Sequence, residues 1–123
     1  MATPKDPITD FGLILRNLRV NLGITVVNVA RGIGKSQSYV TQVERGMSSA
    51  PKRDTLRKWL KTLHCEERFE ELNSLALINR TSLHARLTPL DPSNADLARI
   101  IDAYKADSLT EADRLALSII ARG

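Results

Sequence analysis

Short amphipathic segments separated by glycines constrain the first part of this chain most strongly. Apolar residues recur there with the i, i+3, i+4, i+7 spacing of one buried helical face: Phe11, Ile14, Leu15, Leu18 and Leu22. Gly23 follows, and glycine adopts at low cost the left-handed conformation in which many helices end. The spacing therefore predicts a first helix over about residues 10–22.

Four further helices are predicted before residue 80. Thr25 is a suitable N-cap for helix 2, which reaches about Gly32, and Ser36 suits the same role for helix 3 after a tight turn at Gly34. Helix 3 runs from about Gln37 to Arg45, and helices 4 and 5 cover about residues 52–63 and 66–79. The residues expected to face inward are Val29, Ala30, Ile33, Val40, Val43, Leu56, Trp59, Leu60, Leu63, Phe69, Leu72, Leu75 and Ala76.

The two ends of the chain are expected to be separate from this five-helix unit. Residues 1–9 are expected to form a flexible arm, and residues 80–92, which contain Pro89 and Pro92, a linker. A two-helix hairpin is predicted over residues 93–123. Each of its helices begins with a capping-box pair, Ser93 with Asp96 and Thr110 with Asp113. No segment predicts a strand, so the expected fold class is all-α.

Composition suits this assignment and divides the chain by charge. Of the 123 residues, 42% are hydrophobic but only 4% are aromatic, which favours an aliphatic helical core. Residues 1–65 carry a net charge of +7 and residues 66–123 a net charge of −3. This asymmetry indicates that only the first part meets a polyanion.

Several classes of protein and site are disfavoured by what the sequence lacks. No apolar run approaches the ~18 residues of a membrane span, and the polar start is unlike a secretion signal. Cys65 is the single cysteine, which favours a reducing cytoplasm, and with His64 and His84 it shows no metal-ligand spacing. No nucleophile–base set or glycine-rich phosphate loop is present, so neither an enzyme nor a cofactor is expected.

Helix 3 carries the pattern that points to a function. On a helical wheel its polar arc holds mainly amides and hydroxyls: Gln37, Ser38, Thr41 and Gln42. An ordinary solvated helix face is richer in Glu and Lys. Glutamine pairs well with the N6 and N7 atoms of adenine, and serine contacts several base edges. The arc is therefore interpreted as a surface that reads DNA bases.

The segment LRNLRVNLGITVVNVARGIGKSQSYVTQVERG resembles the lambda-repressor/Cro-like (XRE) helix-turn-helix family. The matching features are Arg19 four residues before Gly23, Val29-Ala30 in helix 2, Gly34 at the turn, Val43-Glu44-Arg45-Gly46 at the end of helix 3, and Pro51 before helix 4. The resemblance covers about residues 10–78. It implies a five-helix lambda-repressor-like domain that inserts helix 3 into the major groove.

Carried over by position, the resemblance also implies residue roles. Base contacts are expected from Gln37, Ser38 and Gln42, and Thr41 is expected to contact either a base edge or the DNA backbone. An Arg19–Glu44 ion pair is expected to be structural. Contacts to the DNA backbone are expected from Lys35, Ser36, Tyr39, Arg45, Lys52 and Arg53. One position departs from the family, since Val26 replaces the polar residue that usually touches a phosphate there. The backbone N–H groups at the start of helix 2 remain as phosphate donors.

The C-terminal hairpin needs an apolar partner, because two helices alone bury too little surface to be stable. Homodimerisation is preferred, through residues on the two apolar stripes: Leu97, Ile100, Ile101, Tyr104, Leu115, Ile119 and Ile120. The alternative is packing within the chain against Leu13 and Val20 of helix 1.

The expected function is a bacterial or phage transcription regulator that binds double-stranded DNA in the cytoplasm. Repression is preferred because promoter occlusion needs no further surface, and a homodimer suits a palindromic operator. The alternative function is an antitoxin-like module that neutralises a protein partner of unknown identity and also binds DNA.

Overall fold

Seven α-helices and one 3₁₀ turn make up residues 5–85 and 95–122, the part of the chain that this computed structural model describes. The first four helices are α1 (Pro7–Asn21), α2 (Val26–Ile33), α3 (Gln37–Glu44) and α4 (Arg53–Thr62). A 3₁₀ turn at Glu66–Arg68 leads into α5 (Phe69–Ala85), and α6 (Ala95–Lys105) and α7 (Glu111–Arg122) follow. No strand occurs among these residues, so the predicted all-α class is confirmed.

Local sequence signals set most helix ends. The Thr25 hydroxyl accepts a hydrogen bond from the Asn28 N–H at 3.2 Å, and the Ser36 hydroxyl accepts one from the Tyr39 N–H at 3.0 Å. Left-handed backbone follows α1, α2 and α3, with φ of 69°, 69° and 73° at Gly23, Gly34 and Gly46. The predicted N-caps of α2 and α3 and the glycine that ends each of the first three helices are thereby confirmed.

Helix α1 begins at Pro7, three residues before the predicted start. Asp6 is its N-cap, with the Asp6 carboxylate accepting from the Ile8 N–H at 3.0 Å. Proline is favourable at the first helical position, where its missing N–H leaves no intrahelical bond unmade. Pro7 and Ile8 are buried, so this end of the expected arm belongs to the helix. Residues 1–4 lie outside the described part.

Helix α5 continues through Ala85, six residues beyond the predicted boundary at Asn79. Within the continuation Ser82 is buried, and Ile78, one residue before the predicted boundary, belongs to the apolar cluster formed with α6 and α7. Residues 80–85 are therefore helical where a linker was expected. The remaining expected linker residues, Pro89 and Pro92 among them, and the proposed cap Ser93 lie outside the described residues.

The main core is enclosed by α1 to α5. Trp59 fills its centre, and the inward-facing positions predicted for α2, α3 and α4 are all buried. Leu22 is the exception on α1, because it occupies the C-cap after the last turn and is more than half exposed. The first five helices thus bury one aliphatic core beneath the polar arc of α3.

A second apolar cluster joins the C-terminal helices to α5. Its buried members are Ile78, Leu97, Ile100, Ile101, Tyr104 and Leu117. Four of these residues were expected at a dimer interface, and the structure instead covers them within the chain. The expected intrachain alternative is also corrected, because Leu13 and Val20 stay about half exposed and α5 receives the hairpin.

Hydrogen bonds also join α6 to α1, α7 to α5, and α5 to the start of α1. The Tyr104 hydroxyl donates to Asp10 of α1 at 3.0 Å, and the Asn73 side-chain amide donates to the Ala121 carbonyl at 3.2 Å. Buried Asn79 donates to the carbonyls of Pro7 and Ile8, both at 3.0 Å, and accepts from the Ala50 N–H at 2.8 Å. Asn79 therefore anchors the start of α1 and the loop after α3 to α5.

Candidate nucleic-acid interface

Helices α2 and α3 form a helix-turn-helix around Gly34. The Lys35 N–H donates to the Ala30 carbonyl at 3.1 Å across the left-handed turn. Val40 and Val43 are almost fully buried against the core. Because these two valines fix the inner face of α3, its polar arc points away from the rest of the domain.

The four residues expected to read bases lie together on this outer face. Gln37, Ser38 and Gln42 are exposed and Thr41 is half-buried. With Arg45 and Met47, these four line one shallow groove, which we call the α3 groove. Their proximity agrees with the expectation from the helical wheel, and the groove presents hydrogen-bonding groups with one exposed thioether.

Two residues of this surface come from the loop after α3 and have no counterpart in the sequence predictions. Met47 is exposed at the rim, and the Ser48 hydroxyl donates to the Gln42 side-chain oxygen at 3.1 Å. This bond orients the Gln42 amide with its NH₂ group free to donate. Helical periodicity has no bearing on a loop, which explains why neither residue was found from the sequence.

Only some of the residues expected to contact phosphates have side chains that are exposed and not already hydrogen-bonded within the domain. Lys35, Arg45 and Lys52 are exposed. The Ser36 hydroxyl is occupied as the N-cap of α3. Tyr39 is half-buried beside Trp59, with ring centroids 6.3 Å apart, and burial raises the pKa of its phenol. The Tyr39 hydroxyl therefore stays protonated at neutral pH.

Arg53 differs from the expectation that it meets the DNA backbone. Its guanidinium donates to the carbonyl of Arg122 at 2.8 Å and lies 5.9 Å from the Phe69 ring centroid. The last carbonyls of a helix lack intrahelical donors and attract cations. Arg53 is thereby engaged within the chain, at the C-terminal end of α7.

Arg19 and Glu44 join α1 to the last turn of α3. The contact is bidentate, with Arg19 Nε 2.7 Å from Glu44 Oε2 and Nη2 3.0 Å from Oε1. A third guanidinium hydrogen bond reaches the Ile24 carbonyl at 3.1 Å, and the hydrogen bonds to Glu44 raise the pKa of Arg19. The pair is structural in its geometry, since it sets the angle of α3 against α1.

A metal centre and a membrane-spanning helix are two other features that residues 5–85 and 95–122 could contain. No cluster of three His, Cys, Asp or Glu side chains suitable for a metal ion occurs there. In the same residues no single helix is long and apolar enough to cross a membrane, although α1 and α2, bent by 113°, would satisfy that test together.

Comparison with known proteins identifies the domain. Residues 15–69 match the sequence profile of the family described as Helix-turn-helix, which is a family of DNA-binding regulatory domains and not of enzymes. No curated protein and no solved structure matches the chain. The matched segment runs from the middle of α1 to the start of α5 and contains the whole α3 groove. Residues 15–69 are therefore a helix-turn-helix domain of the lambda-repressor/Cro-like (XRE) family, whose members are DNA-binding transcription regulators.

Proposed function

We propose that this protein is a transcriptional repressor that binds a palindromic operator as a homodimer. Each protomer inserts α3 into the major groove, where Gln37, Ser38, Thr41 and Gln42 contact base edges. Lys35, Arg45 and Lys52 contact the sugar–phosphate strands on either side. The observation that carries the proposal is the α3 groove, in which the four polar side chains meet Arg45 on one exposed face.

The chemistry of this groove suits bases better than it suits a protein surface. Its two glutamines offer the paired donor and acceptor that adenine requires in the major groove. The Ser48 hydroxyl already orients one of them. Met47 adds an exposed apolar group beside the amides, which suits contact with a thymine methyl.

A second protomer is proposed to bind through the outer face of α7. Leu115, Ile119 and Ile120 are 65%, 60% and 40% exposed on that helix. Its first turn is acidic at Glu111 and its last turn is basic at Arg122. The Arg122 guanidinium already pairs with Glu70 of α5 at 3.3 Å, so two copies of α7 packed antiparallel about a two-fold axis would be held mainly by the apolar residues that they cover.

Base reading is tested by Gln37→Ala and Gln42→Ala, with Asn17→Ala of α1 as a matched exposed-amide control. The operator is first obtained by selecting bound sites from random DNA. Each glutamine variant should lose about 1–3 kcal/mol of affinity for that site while its affinity for scrambled DNA stays unchanged. The control should retain both affinities. Full discrimination in both glutamine variants would show that α3 is not the reading helix.

The selected sites also test the homodimer, because a dimer gives inverted half-sites separated by one helical turn or a multiple of it. Recovery of a single asymmetric half-site would contradict the dimeric mode. If no sequence is enriched at all, the alternative in which the domain mainly neutralises a protein partner would replace the proposal.

A further inference from the structure

A pocket of about 400 Å³ lies where α1, α5, α6 and α7 meet. Its apolar wall consists of Ile14 of α1, Leu75 of α5, Tyr104 of α6, Leu109 of the turn after α6, and Leu117 of α7. Ile14 packs against the main core, whereas Tyr104 and Leu117 belong to the second cluster. The pocket therefore lies at the seam between the two apolar clusters, and we call it the inter-cluster pocket.

The size and wall of the inter-cluster pocket suit a small organic molecule. Its volume lies within the range of ligand sites, and such sites combine a mainly apolar wall with a few polar groups. The Tyr104 hydroxyl already donates to Asp10 at 3.0 Å, so its hydrogen-bonding capacity is largely used within the chain. No role assigned to the chain so far uses this pocket.

Ser74 of α5 brings a buried polar group to the wall. Its side chain belongs to a residue that is only 8% exposed, and it lines the inter-cluster pocket. Among the described residues its hydroxyl has no hydrogen-bond partner. Buried polar groups are rarely left without one, so a polar atom within the pocket is the partner that this hydroxyl requires.

The charges around the pocket leave one cation unpaired. Three of the four charged side chains that line it already contact an opposite charge, in the pairs Lys5–Asp107 at 3.1 Å, Glu70–Arg122 at 3.3 Å and Glu71–Arg68 at 3.1 Å. The fourth is Arg114 of α7, which is exposed and enters no ion pair with another described residue. The guanidinium fork of Arg114 is therefore available to an anion, and it matches the two oxygens of a carboxylate.

We propose that the inter-cluster pocket binds a small monocarboxylate with an apolar body. The carboxylate pairs with Arg114 at the rim, and the apolar body lies against Ile14, Leu75 and Leu117. Because the ligand contacts α1, α5 and α7 at once, its binding stabilises the docking of the C-terminal helices on the first five helices. The proposal goes beyond DNA recognition and does not depend on it.

The test uses the full chain and three probes that share one alkyl chain and differ in charge: octanoate, octanamide and octylamine. Their affinities are measured by calorimetric titration at neutral pH. Octanoate should bind at least about tenfold more tightly than octanamide, because a hydrogen bond to a charged group is stronger than a neutral one. Octylamine should bind most weakly. In methyl NMR spectra, octanoate should shift the signals of Leu75, Leu109 and Leu117.

Two substitutions and one control locate the site. Arg114→Ala should weaken octanoate binding about tenfold and leave octanamide binding unchanged. Arg31→Ala is the matched control, since Arg31 is an exposed arginine of α2 that does not line the pocket. Ser118→Phe should fill the pocket and abolish binding of all three probes, with thermal unfolding as the check that this variant is folded. If it does not fold, Arg114→Ala and the methyl shifts still decide.

Three results would overturn the proposal. They are no octanoate binding at millimolar concentration, tighter binding of octylamine than of octanoate, and an octanoate affinity that is the same in Arg114→Ala as in the unsubstituted protein. No DNA is present in these measurements, so none of these results bears on base reading by α3.

Discussion

The Arg19–Glu44 pair is the most buried charged contact among the described residues. The Glu44 side chain is 4% exposed and the Arg19 side chain is 14% exposed. Such a pair stabilises a fold weakly compared with apolar side chains of the same size, but removal of one partner leaves a charge that the interior cannot solvate. The more buried partner is the more costly one to strand, and here that partner is the carboxylate.

Arg19→Ala should therefore destabilise the domain more than Glu44→Ala. We expect a loss of about 3–5 kcal/mol for Arg19→Ala, measured by urea unfolding at neutral pH. The double variant Arg19→Met with Glu44→Leu should recover much of that loss, because no charge remains buried. If each single variant cost less than about 1 kcal/mol with no recovery in the double variant, the pair would act as a surface contact.

Helix α7 is held at its start by hydrogen bonds and an ion pair. At its start the Asp113 N–H donates to the Thr110 hydroxyl at 3.1 Å, and the Thr110 N–H donates to Asp113 at 3.3 Å. This reciprocal contact confirms the predicted capping box. Arg99 of α6 adds an ion pair to Asp113 at 2.9 Å, so the same carboxylate joins the two C-terminal helices.

The Arg99 guanidinium, followed by the Thr110 N–H, holds the pKa of Asp113 below its usual value of 3.8. A carboxyl group whose folded pKa is depressed stabilises the fold above its unfolded pKa, and that contribution is lost as pH falls through the folded value. Asp113→Asn should therefore lower the urea midpoint at pH 6. The two proteins should converge as pH falls through the folded pKa of Asp113, which lies below 3.8. Curves that stay parallel through the whole acid range would show that the Asp113 charge does not stabilise α7.

At the scale of the whole molecule, the proposed DNA-binding surface and the proposed dimer surface lie on different helices. The basic residues expected to meet DNA lie in the first part of the chain, and the C-terminal helices α6 and α7, in which acidic and basic residues balance, pack on α5. The C-terminal helices use one apolar face to close the second cluster within the chain. The outer face of α7 stays free, which makes it the surface proposed for the second protomer.

Ile119→Lys should convert a dimer into a monomer at micromolar concentration, as measured by sedimentation equilibrium, because it places two charges in the proposed interface. Val20→Lys is the matched control, since Val20 is 53% exposed on α1 and Ile119 is 60% exposed on α7. Val20→Lys should unfold at the temperature of the unsubstituted protein, and Ile119→Lys should stay folded while losing only the stability that dimerisation adds. A monomeric unsubstituted protein, or a dimeric Ile119→Lys variant, would contradict the proposed role of α7.

Local signals were sufficient for the first four helices. The caps at Thr25 and Ser36 and the glycines after α1, α2 and α3 act within a few residues of themselves, so their effect is readable from sequence. The grouping of the four polar residues of α3 was predictable for a similar reason. Side chains three and four residues apart share one helical face whatever the rest of the chain does.

Features that depend on contacts distant in sequence required the tertiary structure. Residues 80–85 were expected in a linker, yet α5 continues through them, with Ser82 buried and Ile78 just before them in the apolar cluster shared with α6 and α7. Arg53 looked like a free cation until α7 placed the Arg122 carbonyl beside it. The inter-cluster pocket likewise unites residues from four helices, and no spacing in the sequence relates them.

The sequence by itself thus determined helices α2 to α4, the caps at Thr25, Ser36 and Thr110 and the polar face of α3, because hydrogen bonding and periodicity operate over one or two turns. Only the tertiary structure decided where the C-terminal apolar stripes are buried. Leu97 and Ile119 each lie on an apolar stripe, yet Leu97 is covered by the chain and Ile119 is exposed. An apolar stripe specifies that burial is favourable, and the packing of the other helices decides which stripe finds a partner within the chain.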